Sequence, residues 1–144
     1  MSCSLLTLRL GSALPLLQHN VTTNATLFAH SSVRPTPSTL DWDEALPEQV
    51  RSVGGYDAII MADVTYNTAS FPALVRTLDT LIRLSSSGKS PTIILGYKER
   101  DSEERTLWEK VKGIGVTLER VGERVGAGRE PVEFWIGSCI GHGP

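Results

Sequence analysis

The sequence predicts an α/β fold in which a largely parallel sheet is joined by crossover helices and ends in an antiparallel hairpin. Its clearest strand is an apolar run, residues 56–62, that stops abruptly at Asp63. A bounded apolar run of this length is typical of a buried strand in a parallel sheet. The clearest helix follows, because apolar residues recur at spacings of three and four from Phe71 to Ile82. Strands and helices alternate as far as Lys112 and two strands then close the chain, an order that favours this fold.

The first third of the chain carries weaker signals for two further strands. Residues 5–10 predict a short strand, and residues 13–24 predict a helix capped by Ser12. Pro15 fits the first turn of that helix, where its missing N–H costs little. Residues 31–39 contain two prolines and are predicted to form a loop, which leads into a short strand ending near residues 40–42.

The rest of the chain is predicted from capping residues, glycines and β-rich runs. Residues 43–53 are expected to form a polar connector with a helical turn after Pro47. Asp101 is expected to cap a charged helix that ends near Lys112, with Trp108 on its buried side. The predicted strands are residues 92–97, 116–121 and 132–138, and residues 122–129 are predicted to be a turn region between the last two.

Composition narrows the class of protein. At 144 residues, with 40% hydrophobic and 21% charged residues, the chain has the size and balance of one soluble domain. A net charge of −2 gives no reason to expect nucleic acid or a membrane as a partner. The two cysteines, Cys3 and Cys139, lack metal-ligand spacing and are expected to be reduced cytosolic thiols. The three histidines are scattered, so no metal site is expected.

Four stretches of the chain, taken in order, resemble one enzyme family. They are residues 13–21, residues 40–44 with their tryptophan, residues 62–66 together with 70–74, and residues 93–100. Together they resemble class I S-adenosylmethionine-dependent methyltransferases. Within that class they are similar to the protein-lysine methyltransferases that include the methyltransferase-like 21 proteins and the fungal enzymes acting on elongation factor 1-alpha.

The resemblance implies a Rossmann-like sheet with helices on both faces and a set of site residues. It implies that Trp42 packs near the adenine of S-adenosylmethionine and that Ala62 lines the cofactor pocket. It also implies that Asp63 and Tyr66 face the incoming lysine as catalytic residues. The substrate implied is a protein in the cytoplasm, and translation elongation factor 1-alpha is the candidate.

The chain departs from the family pattern near its beginning. The family has a Gly-rich loop after its first strand, whereas no Gly-x-Gly pattern precedes Ser12. At the position of the family's ribose-binding acid the chain has Arg9, which has no acceptor. In the family, that first strand lies between the second and the fourth, so their counterparts here either pair directly or keep unpaired edges.

These departures leave two interpretations open. Residues 1–144 are expected to form a single, N-terminally truncated methyltransferase domain, which is a fragment of a longer enzyme. The alternative is a non-catalytic pseudo-methyltransferase that binds a protein partner.

The remaining candidate residues are assigned structural roles. The charges of residues 98–101 are interpreted as the solvated start of a helix. Tyr97 is interpreted as a core residue, in contrast to Tyr66.

Overall fold

The computed structural model of the protein describes residues 3–8, 14–31, 34–85, 90–126 and 128–139. They divide into two compact units, Met1–Val53 and Gly54–Pro144. The assignment of residues 1–144 to one incomplete domain stays a prediction.

The first unit is built on a two-stranded parallel sheet. Strand β1 (Cys3–Leu8) pairs with strand β2 (Pro35–Leu40), and helix α1 (Leu14–Thr23) lies between them in the chain and contacts β2. Strand β1 therefore begins two residues earlier than predicted. Arg9, and Ser12 as the cap of α1, lie outside the described residues.

The prediction that residues 31–39 form a loop was wrong, because β2 occupies Pro35–Leu40 despite its two prolines. Pro35 pairs with Cys3, and Pro37 pairs with Leu5. Because the two prolines are two residues apart, both rings replace N–H groups on the same side of the strand. An edge strand tolerates proline on its unpaired side.

A short helix, α2 (Glu48–Arg51), completes this unit, as the helical turn predicted after Pro47. Where burial is described in this unit, the buried apolar residues lie from the end of β2 to α2; they are Leu40, Trp42, Leu46 and Val50.

The second unit is a mixed four-stranded sheet with two helices. Its strands are β3 (Ala58–Ala62), β4 (Thr92–Tyr97), β5 (Val116–Val125) and β6 (Pro131–Cys139), in the order β3-β4-β6-β5. Strands β3 and β4 are parallel, whereas β6 is antiparallel to both β4 and β5. The predicted α/β fold with a C-terminal antiparallel hairpin is thus confirmed.

The hairpin strands are longer than predicted. Residues 122–125, expected to belong to a turn region, continue β5, and only the following residues make the turn to β6. The register shifts between Arg120 and Gly122, so Val121 forms a bulge. The sequence pattern breaks at this point because a bulge reverses the alternation of the two faces.

The two helices of this unit follow the parallel strands. Helix α3 (Phe71–Arg83) buries the apolar stripe predicted from its spacing. Helix α4 (Thr106–Lys112) follows a 3₁₀ turn, Ser102–Arg105, which Asp101 caps by accepting a hydrogen bond from Glu103 N. Helices α3 and α4 contact each other.

The four-stranded sheet has one covered face and one open face. Parallel partners and directly opposed antiparallel partners point to the same side, so the pairing registers assign each side chain to a face. The apolar and aromatic residues of β3, β4 and β6 on the covered face include Ile59, Met61, Ile93, Leu95, Tyr97 and Trp135. Those on the open face include Ala58, Ile60, Ala62, Ile94, Phe134 and Ile136.

Helix α4 packs on the covered face through Trp108, whose ring lies 4.9 Å from that of Tyr97 and 5.1 Å from that of Trp135. On the open face, Ile60 keeps 73% of its surface exposed. The strand predicted at residues 56–62 is confirmed as β3, but the prediction that it is buried was wrong, because β3 ends the sheet and only its Met61 is fully buried.

Candidate active site

The residues proposed as catalytic lie in the loop that leaves β3. Ala62 ends the strand at its carboxyl end, and Asp63 follows with a left-handed backbone, φ 56°. A left-handed conformation is uncommon for a residue other than glycine, although Asp and Asn adopt it more readily than most. Such conformations occur preferentially at functional sites, where they aim a side chain in a particular direction.

The next residues anchor this loop. Val64 and Thr65 are buried, whereas Asp63 and Tyr66 are exposed, and Tyr66 retains 56% of its surface. Asn67 then closes the loop, because its side chain accepts a hydrogen bond from Ala69 N and donates one to Ser70 Oγ. The loop therefore exposes the carboxylate of Asp63 and the phenol of Tyr66, while the two residues between them are buried.

Asp63 is ion-paired with Arg100, which follows the neighbouring parallel strand β4. The Arg100 Nη2 group donates a hydrogen bond to Asp63 Oδ1. Both side chains are substantially exposed, at 69% for Asp63 and 42% for Arg100. The hydrogen bond to Asp63 raises the pKa of the Arg100 guanidinium above its ordinary value. The pair lies at the edge where open α/β sheets place their ligands.

The backbone of Arg100 is fixed independently of its side chain. Arg100 N donates a hydrogen bond, 3.3 Å long, to Glu104 Oε2. Glu104 is buried, in the 3₁₀ turn that Asp101 caps. The other acid that acts electrostatically on Arg100 is Glu130, which forms a 2.6 Å ion pair with Lys98.

The sequence alone did not single out Arg100. Its charge was grouped with residues 98–101 as the solvated start of a helix, which describes Asp101 correctly but not Arg100. One sequence signal was available, because Asp63 and Arg100 each follow the strand of a βα unit, and the two units are consecutive in the chain. The carboxyl ends of neighbouring parallel strands lie at the same edge of a sheet.

Trp42, assigned to the adenine of the cofactor, lies in the first unit. It follows β2 in a turn in which Asp43 N donates to Asp41 Oδ1. Its side chain is 4% exposed. The roles of Trp42 and Ala62 as cofactor-binding residues stay predictions, as do the catalytic roles of Asp63 and Tyr66.

Tyr97, interpreted as a core residue, is fully buried on the covered face. Burial is the main reason that the pKa of its phenol rises from 10.0 to about 12, and the nearby Glu99 carboxylate adds to the effect. Among the described residues its hydroxyl has no hydrogen-bond partner.

Arg105 stacks over the same aromatic cluster, with its guanidinium carbon 4.9 Å from the centre of the Tyr97 ring. It also pairs with Glu99 at 2.7 Å and with Glu133 at 3.2 Å. Through these contacts Arg105, in the helical segment that follows β4, binds a residue of β6.

No helix among the described residues is long and apolar enough to cross a bilayer. The same residues contain no group of three or more His, Cys, Asp or Glu side chains that could hold a metal ion.

Two solved structures with a similar fold are methyltransferases. A methyltransferase from Pyrococcus furiosus matches with a TM-score of 0.59 and 16% identity, over 94% of this chain and 62% of that one. Magnesium protoporphyrin IX methyltransferase from Synechocystis PCC 6803, solved with bound SAM, matches with a TM-score of 0.55 and 16% identity, over 88% of this chain and 55% of that one. The chain therefore has the class I methyltransferase fold.

The sequence places the protein more narrowly. A family model for lysine methyltransferases matches residues 2–114, so the chain belongs to the lysine methyltransferase family. A UPF0665 family protein of Schizosaccharomyces pombe is 28% identical over 101 residues, which are 70% of this chain and 28% of that protein. The chain thus spans less than two thirds of the length of each of these proteins.

Proposed function

We propose that this protein transfers a methyl group from S-adenosylmethionine to a lysine side chain of a protein substrate. The observation that carries the proposal is the exposed carboxylate of Asp63, held in a left-handed conformation at the carboxyl end of a parallel strand. Membership of the lysine methyltransferase family supports the same reaction.

The chemistry explains why a carboxylate is useful at this place. A lysine in water has a pKa of about 10.4 and arrives as an ammonium ion, whereas only the neutral amine has the lone pair needed for attack. Asp63 can accept a hydrogen bond from the amine and orient its lone pair, which lowers the entropic part of the barrier. The exposed ring of Tyr66, on the same loop, can contact the lysine side chain and exclude water from it.

The residues at the end of β3 fit part of a bound cofactor. S-adenosylmethionine, when bound, supplies an electrophilic methyl group on a positively charged sulfur. Ala62 is exposed and has only a methyl side chain, so it leaves room beside the strand end. We propose Ala62 as a cofactor-binding residue on this basis, and Trp42 on the family resemblance alone.

The substrate we propose is translation elongation factor 1-alpha in the cytoplasm. This choice rests on the similarity of residues 93–100 to the fungal enzymes that act on that protein, and is therefore a family analogy.

The direct test is methyl transfer from tritiated S-adenosylmethionine to recombinant elongation factor 1-alpha by the purified chain. We expect label on a lysine of the substrate, and loss of at least about 100-fold of the rate in Asp63→Ala. Asp79→Ala is a matched control, because it removes an aspartate of helix α3 whose partner is Arg83. Absence of label with the unaltered chain would contradict the proposal.

A second candidate function is a non-catalytic module that binds the substrate protein. It is favoured by Arg9, which the family resemblance places where the ribose-binding acid stands and which has no acceptor. Titration calorimetry with S-adenosylmethionine separates the two functions. An enzyme releases or absorbs heat on binding S-adenosylmethionine. A pure binding module gives no such heat but still binds elongation factor 1-alpha.

A further inference from the structure

The ion pair between Asp63 and Arg100 bears on a conflict within the proposed reaction. A lone carboxylate next to a lysine stabilises the ammonium form, because an opposite charge nearby favours the charged state. The methyl transfer needs the neutral amine. Asp63 alone would therefore bind the lysine well and hold it in the unreactive form.

We propose that Arg100 is a positioning residue that neutralises Asp63 and so eases the release of a proton from the bound substrate lysine. This inference rests on the proposed function and deepens it. Arg100 uses Asp63 Oδ1 and leaves the second carboxylate oxygen available to accept a hydrogen bond from the amine. The incoming lysine then meets a pair with no net charge and retains its hydrogen-bond acceptor.

The surroundings of Arg100 suit this role. Its backbone N–H donates to the buried Glu104, while its guanidinium reaches the carboxylate of Asp63. Of the two other acids acting on it, Glu104 receives its N–H and Glu130 is neutralised by Lys98. Asp63 is thus the acid that pairs with the guanidinium of Arg100.

The proton and electron balance is simple. On binding, the lysine ammonium releases one proton to solvent. The nitrogen lone pair then forms a bond to the methyl carbon as the carbon–sulfur bond breaks, and the electron pair of that bond stays on sulfur. The product is a methylated ammonium ion, which the neutralised pair holds less tightly than a lone carboxylate would.

The exposure of Asp63 and Arg100 limits how far the ion pair can shift the pKa of the bound lysine. Opposite charges in contact shift a pKa by one to three units, but both side chains here are well over one third exposed and are screened by water. We therefore expect removal of the guanidinium to raise the pKa of the bound lysine by about half a unit, which is a factor of about three.

The test compares Arg100→Gln with the unaltered chain in two measurements. The first is binding of Nα-acetyl-lysine N-methylamide at pH 7, followed by NMR shifts of the amides of residues 63–66. The second is the pH dependence of kcat for methylation of elongation factor 1-alpha, which reports the pKa of the bound complex. We expect the variant to bind the amide about threefold more tightly, and the acid limb of its kcat profile to move up by about half a pH unit.

Two further variants separate this role from a structural one. Arg100→Lys keeps the positive charge and is expected to restore both the weaker binding and the original kcat profile. Arg83→Gln removes a cation of helix α3 that pairs with Asp79 and is expected to leave both measurements unchanged. Circular dichroism checks that each variant is folded.

The possible outcomes are distinct. Loss of both binding and rate in Arg100→Gln would overturn the inference and make Arg100 a structural residue. A rise of both binding and rate would also overturn it, because Arg100 would then be a competitor that occupies Asp63 until the lysine displaces it. Unchanged binding and kcat profile would also overturn it. Absence of methyl transfer by the unaltered chain at every pH would instead overturn the proposed function.

Discussion

The covered and open faces of the four-stranded sheet have similar side chains but very different surroundings. Ile93 and Ile60 lie on neighbouring parallel strands, yet Ile93 is fully buried and Ile60 is 73% exposed. On the covered face, Trp108 of α4 packs against Tyr97 and Trp135. On the open face, Phe134 and Ile136 remain about 40% exposed.

The difference teaches that composition does not decide which face of this sheet is buried. Strands β3 and β4 are apolar on both faces, as parallel strands covered from both sides usually are. Burial follows instead from the elements that pack on each face. Only the covered face should therefore contribute strongly to stability, and the predictions below test that difference.

The largest effect is expected from matched truncations on the two faces. Ile93→Ala should lower the free energy of unfolding by about 3 kcal/mol, because it leaves a cavity beneath α4. Ile60→Ala should change it by less than about 0.5 kcal/mol, because the side chain is largely in water already. Urea unfolding followed by circular dichroism measures both. Equal losses in the two variants would mean that the open face is buried in solution.

The next effect is a pH dependence that belongs to Tyr97 on the covered face. The folded pKa of about 12 is higher than the ordinary value of 10.0, so the folded state keeps its phenol neutral where the unfolded state ionises. The stabilising contribution is complete below pH 10 and is lost as the pH rises to about 12. Its size is at most about 2–3 kcal/mol.

Tyr97→Phe provides the control for this pH dependence. The free energy of unfolding of Tyr97→Phe relative to that of the unaltered protein should increase as the pH rises from 10 to 12, because only the unaltered protein loses stability there. At pH 7 the variant should be as stable or slightly more stable, because it removes a buried hydroxyl that has no partner among the described residues. A constant difference across this pH range would contradict the assignment.

A smaller effect is expected at the start of the helical segment that covers the sheet. Asp101→Ala should cost about 1 kcal/mol, because Glu103 N loses its capping acceptor. Asp101→Asn keeps an acceptor oxygen and should cost only a few tenths of that. Thermal unfolding of the three proteins measures the difference. A full loss in the Asn variant would show that charge, rather than the cap, stabilises this segment.

The smallest change in stability is expected on the open face. The double variant Ile60→Thr/Ile136→Thr should alter the free energy of unfolding by less than about 0.5 kcal/mol, since threonine suits an exposed strand. It should also reduce fluorescence of an apolar dye such as ANS and lower self-association at high concentration. Unchanged dye binding would mean that this face is not the apolar surface exposed in solution.

Much of the fold was predictable from local signals. The stripe of helix α3, the strand β4 and the cap at Asp101 were predicted correctly, because spacing and capping act within a few residues. The errors arose where pairing overrides local preference. Pro35 and Pro37 joined a strand that pairs with β1, and the bulge at Val121 interrupted an alternating pattern.

The candidate site also contains residues that the sequence predicted and one that it did not. Residues Ala62 to Tyr66 were identified from an apolar run ending in a carboxylate and from a family resemblance. Arg100 was not, because its pairing with Asp63 joins residues 37 positions apart in the chain. Such a contact depends on the parallel pairing of β3 with β4.

The sequence by itself therefore determined the class of fold, the order of its elements and the acidic loop after β3, because these follow from periodicity, capping and motif order. Only the tertiary structure decided which sheet face is buried, that β3 ends its sheet, and that Arg100 binds Asp63. Burial and ion pairing depend on which distant segments meet, and neither is encoded in the spacing of neighbouring residues.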